Sequence, residues 1–150
     1  MEYREATLED AVQLSKLFHD YRQLSVSLDN PANEDESSKW ISSRILDGNG
    51  IFLIALSDKK LLGFATLYQG FSSISLNHYW VLNDLFVTNE ARGSGLGRGL
   101  MEFAERYAKK TNAKGIELET AVDNKVAQSL YEDLGYVENT RYKTYFKKMV

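Results

Sequence analysis

Asn83-Asp84-Leu85-Phe86-Val87-Thr88-Asn89-Glu90-Ala91-Arg92-Gly93-Ser94-Gly95-Leu96-Gly97-Arg98-Gly99-Leu100 decides the reading of this 150-residue chain. Its first third, around Leu85-Phe86-Val87, reads as a buried strand, and its last residues open a helix. Between them lie four glycines in seven residues, Gly93 to Gly99, a density no ordinary turn requires. Such a loop lets backbone come close to a ligand and leaves N–H groups pointing outward. Added to a helix N-terminus, it is suited to phosphate or pyrophosphate, with Arg92 and Arg98 adding charge at the rim.

The known phosphate patterns narrow the ligand. The dinucleotide pattern G-x-G-x-x-G fails in every register, because position 98 is Arg, 100 is Leu and 102 is Glu. Glu117 and Glu119 follow about 20 residues on, but no complete βαβ unit frames them. The P-loop pattern fails as well, since no Gly-Lys-Ser/Thr follows. Hydride transfer and nucleotide hydrolysis both lose.

Outward from this stretch, periodicity predicts the remaining elements. A short strand is expected at Tyr3–Ala6, with Thr7 as a helix N-cap and Asp10 in a capping-box position. Val12, Leu14, Leu17, Phe18, Tyr21 and Leu24 recur at helical spacing. That helix must stop near Asp29-Asn30-Pro31. A second helix is expected from about Glu34 to Leu46, ending at Asp47-Gly48-Asn49-Gly50. Ile51–Leu56 and Leu61–Tyr68 read as a hairpin, and a longer extended run spans about Ile74 to Val87. After the glycine loop come a helix from about Gly97 to Thr111, a strand over Gly115–Val122, a helix over Asn124–Leu134, and final strands at Tyr136–Glu138 and Tyr142–Met149. This order predicts an α/β sheet that is antiparallel first and gains parallel pairs through helical crossovers.

Composition bounds the rest. Hydrophobic residues make up 43% and charged residues 26%, ordinary for one globular domain, 1–150, that builds its own core. There are no cysteines, which excludes disulfides, thiolate metal sites and a cysteine nucleophile. Only His19 and His78 supply imidazole, far apart, so no metal site is expected. Net charge is −3, and neither half concentrates basic charge: residues 1–75 carry 7 basic and 11 acidic side chains, residues 76–150 carry 11 and 10. Nucleic acid is therefore not an expected partner. No apolar run approaches the ~20 residues that cross a bilayer, and the opening Met1-Glu2-Tyr3-Arg4-Glu5 is not a secretory signal, so a cytoplasmic protein is expected without a membrane partner.

At this point the residues resemble a family. Arg92-Gly93-Ser94-Gly95-Leu96-Gly97 resembles the R/Q-x-x-G-x-G/A loop of the GNAT superfamily of acyl-CoA-dependent N-acyltransferases, and Leu85-Phe86-Val87 looks like the strand before it. Asn124-Lys125-Val126-Ala127-Gln128-Ser129-Leu130-Tyr131, followed by Leu134-Gly135-Tyr136, is similar to the superfamily's N-x-x-A-x-x-L-Y…G-F/Y helix. The two motifs stand in the right order, about 30 residues apart. Residues 19–50 fit only loosely. The flavour is that of small-amine and diamine acetyltransferases.

The resemblance implies a mixed central sheet with antiparallel N-terminal strands, parallel strands 4 and 5 splayed at a β-bulge, and about four flanking helices. It implies acetyl-CoA as co-substrate, with no metal, and direct transfer to a primary amine. By the same resemblance, Leu85 and Val87 pair with pantetheine amides, and a backbone N–H at Phe86 or Val87 faces the thioester oxygen. Backbone N–H groups of Gly93, Ser94, Gly95, Leu96, Gly97 and Arg98, beside Arg92, hold the pyrophosphate. Tyr131 would protonate the leaving thiolate, against the alternative of a core tyrosine. Asn124 would bond backbone or pantetheine, cap its helix, or do both.

The general base departs from the pattern. Many relatives have glutamate where this chain has Asn83, and an amide is no base. Asp84 is adjacent, and aspartate also occurs there in diamine acetyltransferases. It is either a catalytic or acceptor-binding group or a buried or solvated carboxylate. Strict alternation would turn it away from the face of Asn83 and give it the parity of His78, a structural residue on this reading. Asp29, Glu34, Asp35 and Glu36 would draw a cationic small-molecule amine, or are a solvated loop. Tyr68, Phe71, Tyr79 and Trp80 would wall an amine site, or simply pack. The last strand, with its alternating lysines, would lie at a sheet edge and invites a homodimer. The competing functions are a protein or peptide acetyltransferase and a non-catalytic acyl-CoA sensor.

Overall fold

The computed structural model describes residues 1–24 and 33–150. The sheet contains β1 (Glu2–Glu5), β2 (Ile51–Ser57), β3 (Lys60–Ser72), β4 (Asn77–Val87) and β5 (Ile116–Leu118). They lie side by side in chain order; the first four are antiparallel, and β5 runs parallel to β4. Four α-helices occur among the described residues: α1 (Ala11–Gln23), α2 (Glu34–Asp47), α3 (Leu96–Lys110) and α4 (Lys125–Asp133). The described chain forms two compact units, residues 1–119 and 120–150. β5 closes the sheet of the first; α4 belongs to the second.

Local chemistry accounts for the element ends. Asn33 caps α2 by accepting from Glu36 N at 2.9 Å, and Gly48 ends it in the left-handed region at φ +68°. Before α1, Asp10 reaches back to the Thr7 N–H at 2.8 Å across a single tight turn. The stop expected near Asp29-Asn30-Pro31 lies outside the described residues.

Side-chain alternation on the sheet makes two packed layers. On one face Leu14 and Phe18 of α1 and Ile41 of α2 meet Phe52, Ile54 and Phe64. On the other, Leu96 and Leu100 of α3 meet Ala55, with Leu85 and Val87 against them. At roughly 1.5–3 kcal/mol for each large apolar side chain removed from water, these layers dominate the stability of the first unit.

Two expectations fail. Residues 136–150 form no strand, so those expected at Tyr136–Glu138 and Tyr142–Met149 are not found, and the expected Gly115–Val122 strand shrinks to Ile116–Leu118. Alternation makes a segment compatible with a sheet; only a hydrogen-bonding neighbour makes it a strand. Conversely, β3 runs on to Ser72, past the expected Tyr68, because β4 pairs with it as far as Asn77.

Candidate functional site

The decisive local feature is a β-bulge. Thr66 of β3 pairs with Asp84 of β4, but the next residue, Leu67, pairs with Leu82, so Asn83 is an extra residue with no partner. The insertion resets alternation. Asp84 shares the face of its partner Thr66, and with it of Phe64, Tyr68 and Phe86. His78 is thrown to the opposite face, where its ring meets Trp80 edge-on at 5.8 Å. The parity expected between His78 and Asp84 is thus broken by the bulge.

Asp84 sits under α1. The ring of Tyr21 packs edge-on against Phe64 and Phe86, each at 5.9 Å. Asp84 is only 7% exposed, and burial pushes its carboxyl above the usual aspartate range. Thr66, Tyr21 and Asn83 temper the shift by hydrogen bonding; Asn83 Nδ2 donates to Asp84 Oδ1 at 3.2 Å. Oδ2 has no well-formed bond and keeps an open acceptor position. No salt bridge reaches this carboxylate among the described residues.

The expected aromatic wall divides. Tyr68 and Tyr79 lie on Asp84's face; Tyr68 accepts from Trp40 Nε1 at 3.3 Å, and the Arg44 guanidinium stacks on Trp40 at 4.4 Å. Trp80 is on the other face, bonded to Thr111 at 2.9 Å and packed on Tyr107. Phe71 is exposed near the β3–β4 turn. Glu34, Asp35 and Glu36 form the exposed first turn of α2, while Asp29 lies outside the described residues. Trp40, Thr66 and Tyr21 escaped sequence reasoning as site residues: nothing local marks them, because the bulge register brings Thr66 and Tyr21 to Asp84.

The same bulge marks where β4 parts from β5. Pairing between them covers Trp80–Leu82 against Ile116–Leu118 and goes no further. Beyond it, Leu85, Phe86 and Val87 pair on one side with Ala65, Phe64 and Gly63, and no strand among the described residues of the first unit pairs with their other side. A backbone edge next to a buried carboxylate is what an extended, amide-bearing ligand can extend.

The edge leads into the glycine loop. Gly93 and Gly95 adopt φ +79° and +80°, with open space where a Cβ would stand. Gly95 caps α3, and Gly99 N bonds Gly95 O at 3.0 Å, so the amides of Leu96 and Gly97 stand ahead of the helical ladder in the first turn. Ser94 folds back on Ala91 O, and Arg92 Nε donates to Val87 O at 3.1 Å, tying loop to strand. This concave run of N–H groups fits a pyrophosphate. Gly99 has another purpose: a Cβ there would collide with the Tyr3 ring.

In the second unit, Asn124 caps α4 by accepting from Ala127 N at 3.2 Å, one of the two roles open to it. Tyr131 is half-buried, its ring edge-on to Tyr136 at 6.1 Å, and burial pushes its phenol up. No group of three or more metal-binding side chains occurs among the described residues, and no helix there is long and apolar enough to cross a membrane.

Comparison with known proteins agrees with this geometry. Residues 13–136 match the Acetyltransferase (GNAT) family. An uncharacterised N-acetyltransferase of Bacillus subtilis (strain 168), YhfO, is 34% identical over 145 residues, 97% of this chain and 95% of its own. The aminoalkylphosphonate N-acetyltransferase of Salmonella typhimurium (strain LT2) is 28% identical, covering 92% and 86%. A crystal structure of a probable acetyltransferase superposes with a TM-score of 0.90 at 36% identity, over 100% of this chain and 99% of its own.

Proposed function

The chain belongs to the acetyltransferase (GNAT) family, and from that premise we propose that it transfers an acetyl group from acetyl-CoA to the primary amine of a small, cationic molecule in a ternary complex. The observation that carries this reading is the Asn83 bulge, which sets a buried, unpaired carboxylate at the point where β4 loses its partner strand.

The chemistry follows from those positions. The loop amides and Arg92 hold the pyrophosphate, and the free edge of Leu85–Val87 takes the pantetheine amides, fixing the thioester. Asp84 holds the incoming ammonium and accepts its proton; a carboxyl raised by burial is better matched to an amine than an ordinary one. The nitrogen lone pair attacks the thioester carbonyl. A backbone N–H at Phe86 or Val87 bonds the oxyanion. The tetrahedral species gives up the second proton of its nitrogen to solvent and collapses to amide and CoA thiolate, which takes the Tyr131 proton; solvent then reprotonates the phenol. Most of the acceleration comes from orienting amine and thioester.

Substrate class rests on two supports. Asp84 supplies negative charge without a partner cation among aromatic side chains, which favours a cationic amine, and a relative of this chain is an aminoalkylphosphonate N-acetyltransferase, which favours a small primary amine. The test is acetyl-CoA-dependent release of free CoA across polyamines, amino acids, aminoalkylphosphonates, aminoglycosides and short peptides. Turnover on a small amine is expected; turnover confined to peptides would overturn the acceptor class, and tight acetyl-CoA binding with no turnover would favour the sensor.

A further inference from the structure

The Asp84 face of the sheet carries a second charge that the proposed reaction does not use. Arg44 lies in the last turn of α2, four residues after Trp40, and its guanidinium sits over the Trp40 ring at 4.4 Å. Stacking orients the guanidinium but satisfies none of its N–H groups. Among the described residues its acceptor is Asp47 Oδ2, 3.5 Å from Nη2 on a largely exposed side chain, a pairing of little worth. Nε is buried and has no bond at all. An N–H withheld from water with no acceptor costs stability, and a ligand oxygen would remove that cost.

The place of Arg44 relative to Asp84 follows from Tyr68. A Cβ on Gly50 would stand 2.8 Å from Arg44 Cβ and 3.3 Å from Tyr68 Cε1, so this glycine lets the stem of Arg44 and the Tyr68 ring share one spot. The Tyr68 hydroxyl in turn accepts from Trp40 Nε1. Along β3, Tyr68 is two residues from Thr66, the partner of Asp84, an offset of about 7 Å on the same face. The order is therefore a carboxylate, an aromatic ring, and a guanidinium. The Tyr68 phenol senses both ends: burial pushes it up and the Trp40 bond pulls it down, while the Asp84 charge raises it and the Arg44 charge lowers it.

Opposite charges on either side of an aromatic ring match a molecule with an ammonium at one end and an oxyanion at the other. A diamine would set its second ammonium against Arg44. We infer that the acceptor is a small aminoalkyl acid, its ammonium held by Asp84 and its far carboxylate or phosphonate by the guanidinium of Arg44. This rests on the proposed function above and narrows it, keeping the cationic amine and adding an anion to its other end. Arg44 acts in binding and does not touch the reacting atoms.

Aminoalkyl carboxylates and aminoalkylphosphonates of graded chain length are compared with uncharged alkylamines and diamines of matching length, by acetyl-CoA-dependent release of free CoA. The wild type should favour an acid over the uncharged amine by about 10–100-fold in kcat/KM, the range of a charge-assisted hydrogen bond. A ratio near one, or a preference for the diamine, would overturn the inference; the better acid tells carboxylate from phosphonate. Arg44→Gln should collapse the ratio through KM, and Arg44→Glu should reverse it towards the diamine. Acetyl-CoA affinity, retained by both variants in calorimetry, separates loss of this subsite from loss of the fold, and a ratio that survives Arg44→Gln would overturn the assignment. If no amine were turned over, the proposed function would fall, and calorimetry of the acids with CoA present would still decide the subsite. Binding to the wild type that Arg44→Gln abolishes would support it; no binding, or equal binding to both, would overturn it.

Discussion

Asp10 and Asp84 are buried to the same degree, 9% and 7% exposed, yet their surroundings are opposite. Asp10, at the β1–α1 junction, is saturated: Arg4 donates to both its oxygens at 2.8 and 2.9 Å, and the Thr7 N–H adds a third bond. The Arg4 guanidinium holds this carboxyl below the usual range. Asp84, at the β4 bulge, has hydroxyls and an amide for neighbours but no cation, and burial holds it above that range. The first carboxylate is a fastening. The second is a buried carboxylate left without a counter-ion among the described residues, which costs stability and is what the proposed site for a cationic amine requires.

Breaking the second should show most. Asp84→Asn keeps the shape and removes the base, so kcat/KM should fall by roughly 10²–10⁴, the range of general acid–base contributions, while acetyl-CoA affinity measured by calorimetry stays. Loss of acetyl-CoA binding would instead make Asp84 structural. Tyr131→Phe should lower kcat by about 10–100-fold, again without weakening acetyl-CoA; an unchanged kcat would return Tyr131 to a packing role.

Stability sharpens the contrast from the other side. Asp10→Asn should cost about 1–2 kcal/mol in urea unfolding at pH 7, since it loses an ion pair whose Arg4 half is more than a third exposed. Because the folded pKa is lowered, that contribution is present above the usual aspartate value and disappears as pH falls through the folded one. Asp84→Asn should go the opposite way and raise Tm slightly at pH 7. Its folded pKa is raised, so the charged form weakens the fold as pH rises through it, and the gain should vanish in acid, below the ordinary aspartate value. Equal Tm changes of the same sign in both variants would dissolve the comparison.

What sequence made legible was local. α2 starts at the expected Glu34 and ends at the expected Asp47-Gly48 turn, and Gly93 and Gly95 adopt left-handed backbone in the glycine loop. Leu85–Val87 and the glycine loop are continuous in sequence, so one motif outlines that half of the candidate site. The acceptor half depends on register. One unpaired residue, Asn83, decides which face Asp84 occupies, and it can be seen only once β3 and β4 are aligned. Thr66, Tyr21 and Trp40 were invisible for the same reason. The C-terminal segment failed in the converse way: its alternation is correct for a strand, but pairing is a property of two segments, and alternation in one of them does not reveal it.

The most direct test is the pH dependence of kcat/KM for the best acceptor, in wild type and in Asp84→Asn. For the wild type, activity should rise along an acid limb lying above the ordinary aspartate range, because burial raises the Asp84 carboxyl. In the variant that limb should be gone and the plateau lowered. An unchanged limb and plateau in Asp84→Asn would contradict the assignment, leaving the buried carboxylate at the bulge without a part in the reaction.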